Sequence, residues 1–125
     1  MRKLIAALSI FVLAGCSTLK DAQDAKGTGV QQTYNKPYDV VWAKTVEVVQ
    51  ESKLELVAKD KEGGSILAQK SMSAFSYGEN VAVYVEKKSD SVTVVEVVSK
   101  RALATNITAR NWSSYIHEEL GKKLK

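Results

Sequence analysis

Apolar and polar positions alternate along this chain in two different periods, with punctuation between them. Val30 to Tyr34 is a short run suited to a strand. In the next stretch, "NKPYDVVWAKTVEVVQESKL", Tyr38, Trp42, Val46 and Val49 recur at spacings of four, four and three, the stripe of an amphipathic helix. Val40, Val41 and Val48 widen that stripe. Lys44, Glu47 and Glu51 recur at the same helical period on the wet side. Pro37 suits the first turn, where its missing N–H has no intrahelical partner, and Asp39 favours the positive end of the helix dipole. Valine holds a helix poorly on its own, so packing must stabilise this one.

The period then changes to two. Leu54 to Asp60 predicts a strand, Lys61 to Gly64 ("KEGG") a turn, and Ser65 onward a second strand that can run as far as Tyr77. Gly78-Glu79-Asn80 predicts a tight connection. Val81, Val83 and Val85 then share one face of a strand ending near Lys87. Ser89-Asp90 turns the chain, and Val92 to Arg101 forms the last strand. That strand carries Val92, Val94 and Val98 on one face and Val95 and Val97 on the other, more valine than a wet sheet face needs. The excess predicts either a partner on the open face or helices that wrap further round. The final segment, "TNITARNWSSYIHEELGKKLK", predicts a helix capped by Asn106 or Thr108, with Ala109, Trp112, Ile116 and Leu120 buried and Lys122, Lys123 and Lys125 at its negative end.

Short turns make successive strands antiparallel neighbours. The order β-α-β-β-β-β-α therefore predicts an α+β fold. It is a two-layer sandwich in which two helices cover one face of an antiparallel sheet of about four to five strands.

The amino end follows a different pattern. Arg2 and Lys3 precede an apolar run from Leu4 to Leu13, broken only by Ser9, and small residues follow. These are the three parts of a secretory signal peptide, and the run is too short to span a bilayer, which needs roughly 20 apolar residues. The run ends in Leu13-Ala14-Gly15-Cys16, which resembles the bacterial lipobox at all four positions. The resemblance implies a diacylglyceryl group on the Cys16 sulfur, cleavage of residues 1–15 and acylation of the new amino terminus. Two or three acyl chains, at about 0.8 kcal/mol per buried CH₂, hold a protein to a membrane almost permanently. The other reading of Cys16, a thiol buried in a core helix, agrees less well with the charge, run length and small-residue spacing. Ser17 follows the cysteine where an Asp tends to retain enterobacterial lipoproteins in the inner membrane. The resemblance thus implies an outer-membrane lipoprotein facing the periplasm.

Residues 16–29 then predict a lipidated cysteine and a flexible tether, because "STLKDAQDAKGTG" holds one large apolar residue, Leu19. Residues 30–125 form the single domain. The chain of 125 residues carries 18 basic and 14 acidic residues; without Arg2 and Lys3 the excess is only +2. That balance calls for no nucleic-acid or other electrostatic partner.

The opening strand, Pro-led helix, strand meander and closing helix resemble the small helix-grip-type domains of envelope lipoproteins. The BamC-like lipoproteins of the outer-membrane assembly machinery and uncharacterised lipoprotein families are of this kind. The resemblance rests on element order and on "KPYDVVWAKTVEVV…LELVAKDKEGGSI". It implies a fold and an envelope setting, with no catalytic residue to carry over.

Little else points to chemistry. His117 is the only histidine and falls opposite the Trp112 stripe, which predicts a solvated position. No metal-ligand set, nucleophile motif or phosphate loop accompanies it, and no cofactor is implied. The pairs Glu47 with Glu51 and Glu118 with Glu119 read as wet surface. Asn106-Ile107-Thr108 and Asn111-Trp112-Ser113 match a glycosylation pattern that bacteria do not normally read. Lys100, Arg101 and Arg110 can gather to hold an anion, or serve as ordinary surface charge. Met72, Phe75 and Tyr77, in "SMSAFSYG", are candidate contacts for an envelope protein partner, residue types enriched at interfaces; alternatively the aromatics pack on the sheet. The two resemblances together imply a non-enzymatic, membrane-anchored lipoprotein that presents a protein-binding domain, with a role in envelope assembly or maintenance by analogy. The alternative is a carrier of a small apolar ligand or lipid in a groove between helices and sheet, its cavity lined by Trp42, Trp112 and valines.

Overall fold

The computed structural model describes residues 25–70, 79–101 and 111–125. The element order is β1 (Val30–Tyr34), α1 (Tyr38–Glu51), β2 (Glu55–Asp60), β3 (Ser65–Lys70), β4 (Glu79–Ser89), β5 (Val92–Arg101) and α2 (Trp112–Lys123). The α+β class and the order β-α-β-β-β-β-α are those the periodicity predicts.

All strand pairs are antiparallel, in the spatial order β1-β5-β4-β3-β2. The four strands β2 to β5 form a meander, and β1 adds to its far side, beside β5. The register Val30↔Val97 and Tyr34↔Thr93 sets β1 on β5, and Val83↔Val97 sets β4 on β5. Alternation then sends Ile66, Ala68, Val81, Val83, Val85, Val95 and Val97 to one face, where they meet Val41, Trp42, Val46, Val48 and Val49 of α1 and Trp112, Ile116 and Leu120 of α2 in one continuous core. Each large aliphatic side chain buried there contributes roughly 1.5–3 kcal/mol.

Several local expectations are corrected. Pro37 stands just before α1, not within its first turn; its carbonyl accepts the Val41 N–H at 3.0 Å. Val40 lies outside the stripe and is exposed, because it falls on the solvent side of a helix whose packed face centres on Val41, Thr45 and Val48. Glu79 and Asn80 do not make a turn: they open β4, paired with Arg101 and Lys100, and both are buried. The cap of the described closing helix is Asn111, whose Oδ1 accepts the Ser114 N–H at 3.2 Å. Asn106, Thr108 and Ala109 lie outside the described residues.

The two helices are joined by ions as well as by the core. The Lys123 ammonium lies 2.9 Å from a Glu47 oxygen and 3.0 Å from a Glu51 oxygen, and Lys44 approaches Glu47 at 3.4 Å. These bonds hold the Glu47 carboxyl below its usual value and raise the Lys123 ammonium. The edge strand β2 is blunted by a register shift between Leu56 and Ala58 and by exposed Lys59.

Ile66 is fully buried at the centre of this packing, whereas Val57 is 48% exposed on the edge strand. Urea denaturation of Ile66→Ala is expected to show a loss of about 2–5 kcal/mol, while Val57→Ala stays within about 0.5 kcal/mol of wild type.

Candidate functional site

The sheet face turned away from the helices carries the least ordinary chemistry in the domain. Alternation places Val94, Glu96 and Val98 of β5, Ala82, Tyr84 and Glu86 of β4, and Leu67 of β3 on this outer face. Glu96 stands midway between two valines and is only 5% exposed. A carboxylate so placed needs donors, because burying a polar group without a hydrogen bond costs several kcal/mol.

The donors come from the segment ahead of β1. The backbone N–H groups of Gly27 and Gly29 both donate to Glu96 Oε2, at 2.6 and 2.8 Å. Thr28 closes the turn between them: its N–H and hydroxyl both donate to the Ala25 carbonyl. Lys26 sets its ammonium 5.0 Å from the centre of the Tyr84 ring, and Ala25 packs on the cluster of Ala82, Tyr84 and Val98. Both glycines are required by geometry. Gly27 has a φ of +95°, and a Cβ on Gly29 would strike the Val97 carbonyl and lie 2.8 Å from a Val98 methyl. Residues 25–29 are therefore a strap across the outer face, where a flexible tether up to residue 29 was expected. This strap bears on the surplus of valine on β5: the chain covers part of its own open face, with Ala25 packed on Ala82, Tyr84 and Val98.

His117 corrects a second expectation. It is 4% exposed, on the side of α2 that meets β1. Its Nε2 lies 2.9 Å from the Val30 carbonyl and its Nδ1 2.8 Å from the Tyr34 hydroxyl. A carbonyl only accepts, so Nε2 carries the proton and Nδ1 accepts from Tyr34. The two rings stack at a centroid distance of 6.1 Å. Burial lowers the His117 pKa below its ordinary 6.5, against a smaller raising effect of the Val30 bond, and burial pushes the Tyr34 hydroxyl up to about 12. A hollow of about 570 Å³ lies beside this pair, lined by Gln32, Ser113, His117, Glu118 and Lys122 among others. Several of its polar groups are already committed. The Ser113 hydroxyl donates to the Val97 carbonyl at 3.3 Å, both imidazole nitrogens are used, and Glu118 faces Lys122 at 3.7 Å. The arrangement ties α2 to the edge strand.

Two further hollows are bordered by described residues. One, of about 450 Å³, lies by Tyr38, the 61–64 turn and Val85; the other, of about 190 Å³, lies beneath the strap, by Lys26, Gln31, Tyr84 and Glu96. Trp42 and Trp112, the expected walls of a ligand groove, are instead 7% and 1% exposed within the continuous core. Among the described residues no three His, Cys, Asp or Glu side chains gather as metal ligands, and no helix is long and apolar enough to cross a membrane. Cys16, Met72, Phe75, Tyr77 and Arg110 lie outside the described residues. Lys100 and Arg101 are described only as backbone of β5.

Glu96 was missed by motif reasoning, but a signal was present. It is the one charge in Val92–Val98, flanked at both i±2 positions by valine on the same face, and "GTG" supplies two glycine N–H groups two residues apart. Compared with models of protein families and with curated proteins, the chain matches none.

The neutral, buried His117 makes stability depend on pH. The folded imidazole binds a proton more weakly than the unfolded one, so its contribution is complete above about pH 6.5 and is lost as pH falls from there through the lowered folded value. Thermal melts between pH 7.5 and 5 are expected to show this decline. Tyr34→Phe removes the donor to Nδ1 and is expected to cost about 1 kcal/mol at neutral pH.

Proposed function

We propose that this chain is a bacterial lipoprotein, anchored in the outer membrane through lipid on Cys16 and facing the periplasm, whose α+β domain serves as a non-enzymatic protein-binding module in envelope assembly or maintenance. The observation that carries the reading is the sequence Leu13-Ala14-Gly15-Cys16 at the end of a basic-then-apolar leader. What supports the non-enzymatic part is the use of the polar groups most suited to catalysis. Both nitrogens of the single histidine and the neighbouring Ser113 hydroxyl hold one element to another. A module of this kind needs a stable scaffold and surface side chains to present. The envelope setting follows the likeness of "KPYDVVWAKTVEVV" and the element order to helix-grip-type lipoprotein domains.

The close packing of Trp42 and Trp112 favours this reading over that of an apolar-ligand carrier, which needs an open cavity between helices and sheet. Partner contact then belongs to exposed surface, with Met72, Phe75 and Tyr77 as the residues to probe.

Replacing Cys16 with Ser tests the anchor. The wild-type chain is expected in the membrane fraction, beginning at Cys16 and heavier by its acyl groups in mass spectrometry. The variant is expected to lose the added mass and leave that fraction; a variant still processed and membrane-bound overturns the proposal. Photo-crosslinking from Phe75 in intact envelopes is expected to yield a discrete protein adduct, whereas co-purified lipid without an adduct would favour the carrier.

A further inference from the structure

The strap has a geometric consequence for the anchored protein, and it rests on the lipoprotein reading just given. An unlatched tether of 13 residues, Ser17 to Gly29, reaches about 20 Å as a coil and about 45 Å when extended. On such a leash the domain could present any face to the bilayer. With Gly27 and Gly29 bonded to Glu96, eight residues, Ser17–Asp24, separate Cys16 from the strap. A stretch of eight residues spans about 16 Å at coil dimensions and at most about 28 Å.

The place where the strap ends matters as much as the length left over. Gly29 lies beside β5, Gly27 bonds to Glu96 on β5, Lys26 sits over Tyr84 on β4, and Ala25 packs on Ala82, Tyr84 and Val98. The chain thus crosses from the β1 edge toward the middle of the outer face and meets the described domain there. For the helical layer to face the bilayer, the eight linking residues would have to pass two strands, about 10 Å, and then run down the sheet and a helix, about 15 Å more. That total of about 25 Å is close to full extension and well beyond the coil length. With the outer sheet face down, no such stretching is needed.

We infer that residues 25–29 are an orienting strap: through Glu96 they hold the outer sheet face toward the lipid bilayer and leave the helical layer and the strand edges free for the periplasmic partner. The face that carries the surplus valines is then the membrane-proximal side of the domain.

The test uses the full lipidated chain in vesicles of phosphatidylethanolamine and phosphatidylglycerol. Hydrogen exchange at Gly27 and Gly29 reads the strap, and both amides are expected to exchange about tenfold or more slowly than in Glu96→Ala. Gly27→Ala, which forces a side chain into a positive φ, is expected to release the strap too. It alters only the segment ahead of β1, so it keeps the test decisive if Glu96→Ala fails to fold. Orientation is read by quenching with lipid-borne quenchers of a dye placed singly by Thr33→Cys, on the outer side of β1, or by Val40→Cys, on the exposed side of α1. Quenching is expected to be stronger at position 33, with the difference lost on Glu96→Ala or Gly27→Ala. Unprotected Gly27 and Gly29 amides, or equal quenching at the two positions in the otherwise wild-type chain, overturn the inference. The mass at Cys16 separates the two proposals: an unmodified thiol with residues 1–15 attached defeats the lipoprotein reading and the orientation with it, while protected amides on a lipidated chain with equal quenching defeat the orientation alone.

Discussion

Strand β5 has no face to spare, and the arrangement of the domain follows from that. It pairs with β1 on one edge and β4 on the other, turns Val95 and Val97 into the helical core, and turns Val94, Glu96 and Val98 outward. A strand clad on both faces usually runs as continuous valine and isoleucine. Here the stretch Val94–Val98 is broken once, by a carboxylate. Two backbone N–H groups satisfy it, and they come from residues 67 and 69 positions earlier in the chain. The segment that leads into the sheet is therefore joined to one of its interior strands by a charge-assisted contact, stronger than an ordinary hydrogen bond.

The inner side solves a matching problem with different groups. Helix α2 must lie against β5 and the short edge strand β1, and His117 and Tyr34 fix it there. The imidazole spans the Val30 carbonyl and the Tyr34 hydroxyl, so one side chain spends both its polar atoms on β1. The Lys123 contacts with Glu47 and Glu51 then join α2 to α1 at the solvent boundary, where such pairs add little energy. Both ends of the described chain thus converge on β1 and β5: the strap on the outer face, α2 on the inner.

This economy shapes the functional reading. Polar groups that in isolation suggest chemistry, such as a histidine beside serines or a carboxylate among valines, are held by structural bonds. An anchor at Cys16 and a strap at Glu96 would together set how far the domain stands from the bilayer and which side it shows, and so where a periplasmic partner can meet it.

Much of the fold could be read from local pattern, since period and punctuation are properties of neighbouring residues. Tyr38, Trp42, Val46 and Val49 at helical spacing, Val81, Val83 and Val85 in alternation, and "KEGG" between two strands are enough to order the elements and close them into two layers. The basic-then-apolar pattern that ends at Cys16 is likewise a property of neighbouring residues. What only the tertiary structure decided depends on contacts distant in sequence. His117 lies off the Trp112 stripe, and nothing local says that β1 will return 83 and 87 residues away to bury it. Glu96 looks like a strand residue facing water until Gly27 and Gly29 arrive to bond it. Hydrophobic period belongs to one segment at a time, whereas satisfying a buried polar group takes two segments, and their meeting is set by the topology.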